Sequence, residues 1–343
     1  MDPYLHLSPK NQRDVCIEGG TRRSLSPASM EKDFWVCWTL RELFSLPDIG
    51  PRLTFKGGTS LSKCYGLIER FSEDIDLVID RATFDGKPPD ETGIGGKERE
   101  RRLETLRDRS RSYIRTVLKP AVEQRLKERL PAGRPWTLSE EESPDGSIAL
   151  LFTYPTVFEA DADLNPVVKI EPGARSDIEP NSSPEVQPYL TEVLPDVLGH
   201  SRFVVRTVAP ERTFWEKAML LHEANYGDKA PAPKPALARH YYDVFCLIRA
   251  GVGAKAQQDK ALFDVVHAHR LVFFRKAQQI QDARKPGSFR LMPADAHRDD
   301  WRKNYEQMRR AYFFGEPPPF TEILRVVGEF ERQFNSLGRP GGA

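Results

Sequence analysis

Residues 72–79 read Ser-Glu-Asp-Ile-Asp-Leu-Val-Ile, an alternation that constrains the chain more than any other stretch. Successive side chains of an extended strand point to opposite faces, so Asp74 and Asp76 share one side while Ile75, Leu77 and Ile79 share the other. The apolar side demands a covering layer, which makes this a half-buried strand of a sheet. Two carboxylates held so close repel each other, and a divalent cation between them resolves the repulsion, with Mg²⁺ the first candidate. Just upstream, Gly57, Gly58 and Thr59 form a turn that opens a short helix, expected from Thr59 to about Ile68. Free backbone N–H groups at a helix start attract phosphate, and Thr59 and Ser60 add hydroxyl donors. The stretch is not a Walker loop, because Lys63 follows Ser62 where that motif requires glycine.

A second alternating run, Val167-Val168-Lys169-Ile170-Glu171, sets Lys169 and Glu171 on one face and Val168 and Ile170 on the other. A third carboxylate completes the set a two-metal phosphoryl displacement uses, with cations about 4 Å apart. In that arrangement Lys169 neutralises phosphate charge and Glu171 is the candidate for taking a proton from the attacking hydroxyl.

Composition narrows the partners. Across 343 residues, 51 Lys and Arg balance 50 Asp and Glu, which excludes a uniformly basic nucleic-acid coat and leaves any charged partner to a local patch. Four cysteines without C-x-x-C spacing exclude a zinc knuckle and a disulfide framework, and fit a reducing cytoplasm. No run approaches the roughly 20 apolar residues of a membrane span, so no membrane partner is expected.

The pattern predicts an α/β domain over 1–209 and a helical domain over 210–343. Residues 1–28 read as polar and turn-rich. Met30, Phe34, Cys37 and Phe44 then lie on one helical stripe, with Trp35 and Trp38 read as core. A charged helical insertion near 97–130 carries nine basic and four acidic residues over 97–119, read as a solvated face with RNA phosphate contact as the alternative. Further strands are expected in Ser147–Pro155 and, as one run, at 202–208. Helices are expected at 211–224, 236–249, 259–280, 300–313 and 319–335, with a Pro-rich spacer after the first. His267 and His269, two apart, cannot share a helix face and are read as packed or solvated rather than metal-binding. Lys217 falls on an apolar stripe, and an inward lysine requires an anion. Asp243 lies four residues after Arg239, so an intrahelical ion pair is its simplest reading.

Gly57-Gly58-Thr59, Ser72-x-Asp74-Ile-Asp76 and Lys169-Ile-Glu171, with the later "ERTFWEKAMLLH" and "LARHYYDVFCL", resemble the AbiEii/AbiGii-type nucleotidyltransferase toxins, a branch of the DNA polymerase β-like superfamily. The resemblance implies a mixed sheet with a helical lobe, the site between them, and Asp74, Asp76 and Glu171 as ligands of two Mg²⁺. It further implies a triphosphate held by Gly57, Gly58, Thr59, Ser60, Lys63 and Ser72, and nucleotide contacts from Lys217, His240 and Asp243. The activity it implies is nucleotide transfer from an NTP to a tRNA 3′ end, by a toxin with a cognate antitoxin in phage defence. A protein or small-molecule acceptor is one alternative, and a nucleotide-binding regulator without catalysis another. A haloacid-dehalogenase phosphatase, which also carries Asp-x-Asp, is disfavoured because its apolar strand precedes the acids, whereas here it follows them.

Overall fold

The β2–β5 pair sits at the centre of a seven-stranded mixed sheet whose order is β3-β4-β5-β2-β1-β9-β6. Its strands are β1 (Leu53–Lys56), β2 (Ile75–Ile79), β3 (Thr137–Glu142), β4 (Ile148–Thr153), β5 (Val167–Gly173), β6 (Asn181–Ser182) and β9 (Thr207–Val208), while β7 (Glu185–Val186) and β8 (Phe203–Val204) pair separately. The computed structural model describes residues 1–70, 72, 74–159, 165–226, 233–313 and 316–338. Glu73 of the acidic motif and residues 227–232 of the Pro-rich spacer lie outside them. The chain forms two units, Met1–Tyr65 with Ser72–Val208, and Gly66–Phe71 with Ala209–Ala343.

In the first unit Ile75, Leu77, Ile79, Val168 and Ile170 are buried, as their alternation requires. Against this face packs the helix Pro27–Phe44, started by Ser26, whose side chain accepts from the Ser29 N–H, with Pro27 in the first turn. Trp35 stacks on Tyr154 at 5.4 Å and meets Trp38 edge-on at 5.6 Å, so both indoles are core. Each such fully buried ring contributes roughly 2–3 kcal/mol over an exposed one.

Several expectations need correction. Residues 1–28 are not turn-rich but contain the helices Asp2–His6 and Pro9–Arg23. Gly19 and Gly20 look like breakers, yet a Cβ on Gly19 would stand 2.8 Å from Leu190, so the glycine serves close packing rather than a turn. The run at 202–208 splits, because β8 pairs with β7 while β9 pairs with β1 and β6. The helix starting at Gly57 ends at Lys63 rather than Ile68.

The insertion is helical from Gly96 to Arg129, with a π-helical turn at Ile114–Leu118 just before Pro120, whose missing N–H removes one α-helical bond. Leu106, Ile114 and Leu118 are buried, whereas Val117 is exposed. Its basic face is engaged by an acidic strand that sequence reading missed: Arg111 pairs with Glu142, Arg115 with Glu140 and Glu142, and Lys119 with Glu140. These pairs engage three of the nine cations of residues 97–119.

The second unit is helical, with Pro210–Asn225, Ala238–Arg249, Val252–Gln258, Lys260–Phe273, Gln278–Asp282, Arg298–Tyr312 and Phe320–Ser336. The helix expected over 259–280 is interrupted after Phe273. Trp215 anchors the core, 4.8 Å from Phe263 and 5.1 Å from Phe334, and donates its indole N–H to the Ala256 carbonyl. His267 and His269 stack on Phe263 and Phe273. No helix among the described residues is long and apolar enough to cross a membrane.

His222 lies flat against Phe289, and its Nδ1 accepts the Arg290 N–H at 2.9 Å, which leaves Nε2 as the protonated nitrogen facing the Ile280 carbonyl. Burial lowers its pKa to about 4. The neutral ring is common to both states above about pH 6.5, and below that value only the unfolded chain takes the proton. Unfolding free energy from urea titrations is therefore expected to fall between about pH 6.5 and 4, by on the order of 3 kcal/mol, and His222→Gln is expected to remove that component.

Candidate active site

The register of the sheet assembles the acids. β2 and β5 run parallel with Ile75 opposite Ile170 and Asp76 opposite Glu171. Directly opposed residues project to the same face, so burying the two isoleucines forces the two carboxylates onto the other side together. Asp74 precedes β2 by one residue and, like Asp76, is half-buried. On the far side β1 runs antiparallel to β2, with Lys56 opposite Asp76.

Gly57 follows Lys56 with φ +84°, and a Cβ there would stand 2.0 Å from Asp76 Oδ2. Both the left-handed backbone and the contact require glycine, so the turn lies directly against the carboxylate. Thr59 is buried, and its hydroxyl bonds the Asp74 carbonyl at 2.6 Å and the Ser72 hydroxyl at 2.8 Å. A carbonyl only accepts, so Thr59 gives its proton to Asp74 at the shorter contact, with the Ser72 hydroxyl beside it. Ser60, also buried, donates to the Gly57 carbonyl at 2.9 Å. These hydroxyls hold the acidic segment and the turn in place. Gly58 is buried between them.

Lys63 is placed differently from the expectation that it meets phosphate. Its ammonium lies 2.6 Å from Asp33 and 3.4 Å from the centre of the Tyr189 ring, with both charged side chains 5% exposed. Burial opposes its charge, but Asp33 beside it carries the pKa above the usual lysine range. The cation is committed inside the fold. Lys169 does lie on the acidic face, 3.2 Å from Glu171 and 2.6 Å from Glu141.

In the helical unit Asp243 is fully buried and takes Lys217 at 2.8 Å. The intrahelical pair with Arg239 is not what forms. The other partner is Arg70, whose Nε and a terminal nitrogen reach the two Asp243 oxygens at 2.7 and 2.9 Å. Burial raises the Asp243 pKa, yet the two cations hold it far below the carboxylate range. Burial and the Lys217 charge keep the neighbouring His240 neutral, its pKa well below the imidazole range. Sequence reading missed Arg70. Its position four residues before Asp74 is the only local signal, and nothing local names a partner 173 residues away.

Three carboxylates on one half-exposed sheet face are the hard oxygen donors a divalent cation prefers, so the residue types fit Mg²⁺. Among the described residues no three such side chains already converge as a metal-binding group, since Glu171 is turned to Lys169. Two substitutions test this architecture. Gly57→Ala is expected to cost at least about 1 kcal/mol in thermal unfolding, from φ strain alone, and to displace Asp76 enough to lose most catalytic turnover. Arg70→Met removes two charge-assisted hydrogen bonds from the buried Asp243 carboxylate and leaves Lys217 as its counter-ion, and a drop of about 2–4 kcal/mol is expected in urea unfolding of the helical unit.

A family model of nucleotidyl transferase AbiEii toxins, of type IV toxin–antitoxin systems, matches residues 38–326. Among solved structures, MenT4, a nucleotidyltransferase toxin from Mycobacterium tuberculosis H37Rv, is 18% identical, with 95% of this chain and 98% of that chain covered and a TM-score of 0.44. A search of curated proteins returned no match. The matched stretch spans most of the chain and contains the glycine turn, the three acids and the Lys217 and Asp243 helices, and the chain therefore belongs to the AbiEii family of nucleotidyltransferase toxins.

Proposed function

We propose that the protein transfers a nucleotidyl group from an NTP to the 3′-terminal hydroxyl of tRNA, releasing pyrophosphate, in a Mg²⁺-dependent reaction. The observation that supports it best is the Asp76–Glu171 pairing across β2 and β5, with Gly57 closed against Asp76. Asp74, Asp76 and Glu171 would hold the cations. When bound, these neutralise charge on the transferring phosphoryl group and ease ionisation of the acceptor hydroxyl.

The chain's own groups carry the remaining tasks. Thr59 and Ser72 fix the Asp74 segment, which limits rearrangement at that carboxylate as charge develops, a main requirement in phosphoryl transfer. Because the Thr59 and Ser60 hydroxyls are occupied within the turn, the triphosphate contacts assigned to Gly57–Ser60 fall to backbone N–H groups. Lys63 drops out of the nucleotide site. Lys169 offsets phosphate charge, and Glu171 accepts the acceptor proton. Lys217 and His240 remain nucleotide contacts on the family likeness, with Asp243 orienting Lys217 rather than touching substrate, since both its oxygens are taken. A cognate antitoxin, phage defence and a cytoplasmic setting complete the reading.

Incubation with each labelled NTP, a tRNA pool and cell lysate tests it. Label is expected in tRNA, and Asp74→Asn, Asp76→Asn or Glu171→Gln is expected to reduce incorporation by about two orders of magnitude or more. Label in protein but not in tRNA would move the acceptor to a protein. Growth arrest on expression that survives the aspartate substitutions would leave a nucleotide-binding regulator.

A further inference from the structure

We propose that Glu141 is a positioning residue for Glu171, sharing Lys169 with it and taking over the ammonium when a divalent cation claims the Glu171 carboxylate. The inference rests on the reading of Glu171 as the third acid of the site.

The sheet register carries the argument. Glu141 on β3 opposes Ala149 on β4, and β4 opposes β5 with Leu150 at Ile170 and Leu151 at Lys169. One step further along the same register sets Ala149 beside Glu171, which itself opposes Asp76. A single rung therefore reads Glu141, Ala149, Glu171, Asp76 and Lys56 across five strands. Alanine leaves the space between the two glutamates without a side chain longer than a methyl. Lys169, one rung away on the same face, leans into that space and meets Glu141 at 2.6 Å and Glu171 at 3.2 Å. Its hold is tighter on the residue outside the acidic trio.

Alternation along β3 isolates this role. Glu140 and Glu142 oppose Leu150 and Ile148 and are paired with Arg115, Lys119 and Arg111 of the insertion helix. Glu141 alone of the three faces the site side. While no cation is bound, Lys169 offsets the mutual repulsion of Asp74, Asp76 and Glu171. A divalent cation on Glu171 repels that ammonium, and Glu141 gives it a carboxylate to keep. Loss of Glu141 would confine Lys169 to Glu171, so that cation and lysine compete for one group.

Mn²⁺ titration of the nucleotide-free protein, with free Mn²⁺ read by electron paramagnetic resonance, tests the exchange. Glu141→Gln is expected to weaken Mn²⁺ binding about threefold to fivefold, the scale of a partly exposed ion pair. Lys169→Met is expected to tighten it, and Glu141→Gln is expected to have no further effect in the Lys169→Met background. An equal weakening by Glu141→Gln in both backgrounds would mean simple loss of a nearby negative charge and would overturn the proposal, as would no effect in either. Glu171→Gln separates the two readings. Unchanged Mn²⁺ binding in that variant removes Glu171 from the metal site and the proposal with it. Weakened binding there with a silent Glu141→Gln removes only the role of Glu141. All three side chains are partly exposed, so the variants are expected to melt within a few degrees of the parent, which a thermal scan checks.

Discussion

Burial of Ile75 against Ile170 is the constraint from which the rest of the site follows. In a parallel pair with both isoleucines inward a slip of the register by one residue is excluded, because it would turn every side chain to the wrong face. That register brings Asp76 beside Glu171 although 95 positions separate them in the chain. Apolar packing thus sets the distance between like charges. Lys169 offsets the Glu171 charge, and Thr59 holds the Asp74 segment by its backbone carbonyl.

Much of this arrangement was legible in the sequence, because it depends on alternation. The two strands, the face that each acid takes and the buried Trp35–Trp38 helix all follow from a period of two or of 3.6. The glycine turn was legible as a turn, but its reason was not. Phosphate affinity was the reading available, whereas the structure shows that Gly57 is needed to let the chain pass Asp76 and that Thr59 and Ser60 spend their hydroxyls on neighbouring backbone or side-chain groups. A hydroxyl's partner is a tertiary fact, and a local motif cannot say whether it faces ligand or chain.

Charges were the least legible element. Lys63 lies within the glycine-turn helix, yet its counter-ion is Asp33, from a different helix. Arg70 reads as one more surface arginine until Asp243 is seen beside it. The basic insertion reads as a solvated face until β3 supplies Glu140 and Glu142. β3 itself was missed because three consecutive glutamates have low strand propensity. They are stable there since the cations of the insertion helix answer two of them and Lys169 answers the third. In each case the pairing depends on topology, while the composition of a short window records only the unpaired half.

The passage of Gly66–Phe71 into the helical unit bears on the order in which the chain can fold during synthesis. Domains emerge from the ribosome N-terminal end first and fold largely as units. The sheet strand carrying Asp76 is translated long before the helix carrying Asp243, so Arg70 waits through more than a hundred and fifty residues of elongation for its carboxylate. The acidic segment beside it has its Thr59 anchor early and its Arg70 anchor late. The Arg70–Asp243 pair therefore forms only after the helix carrying Asp243 has been made.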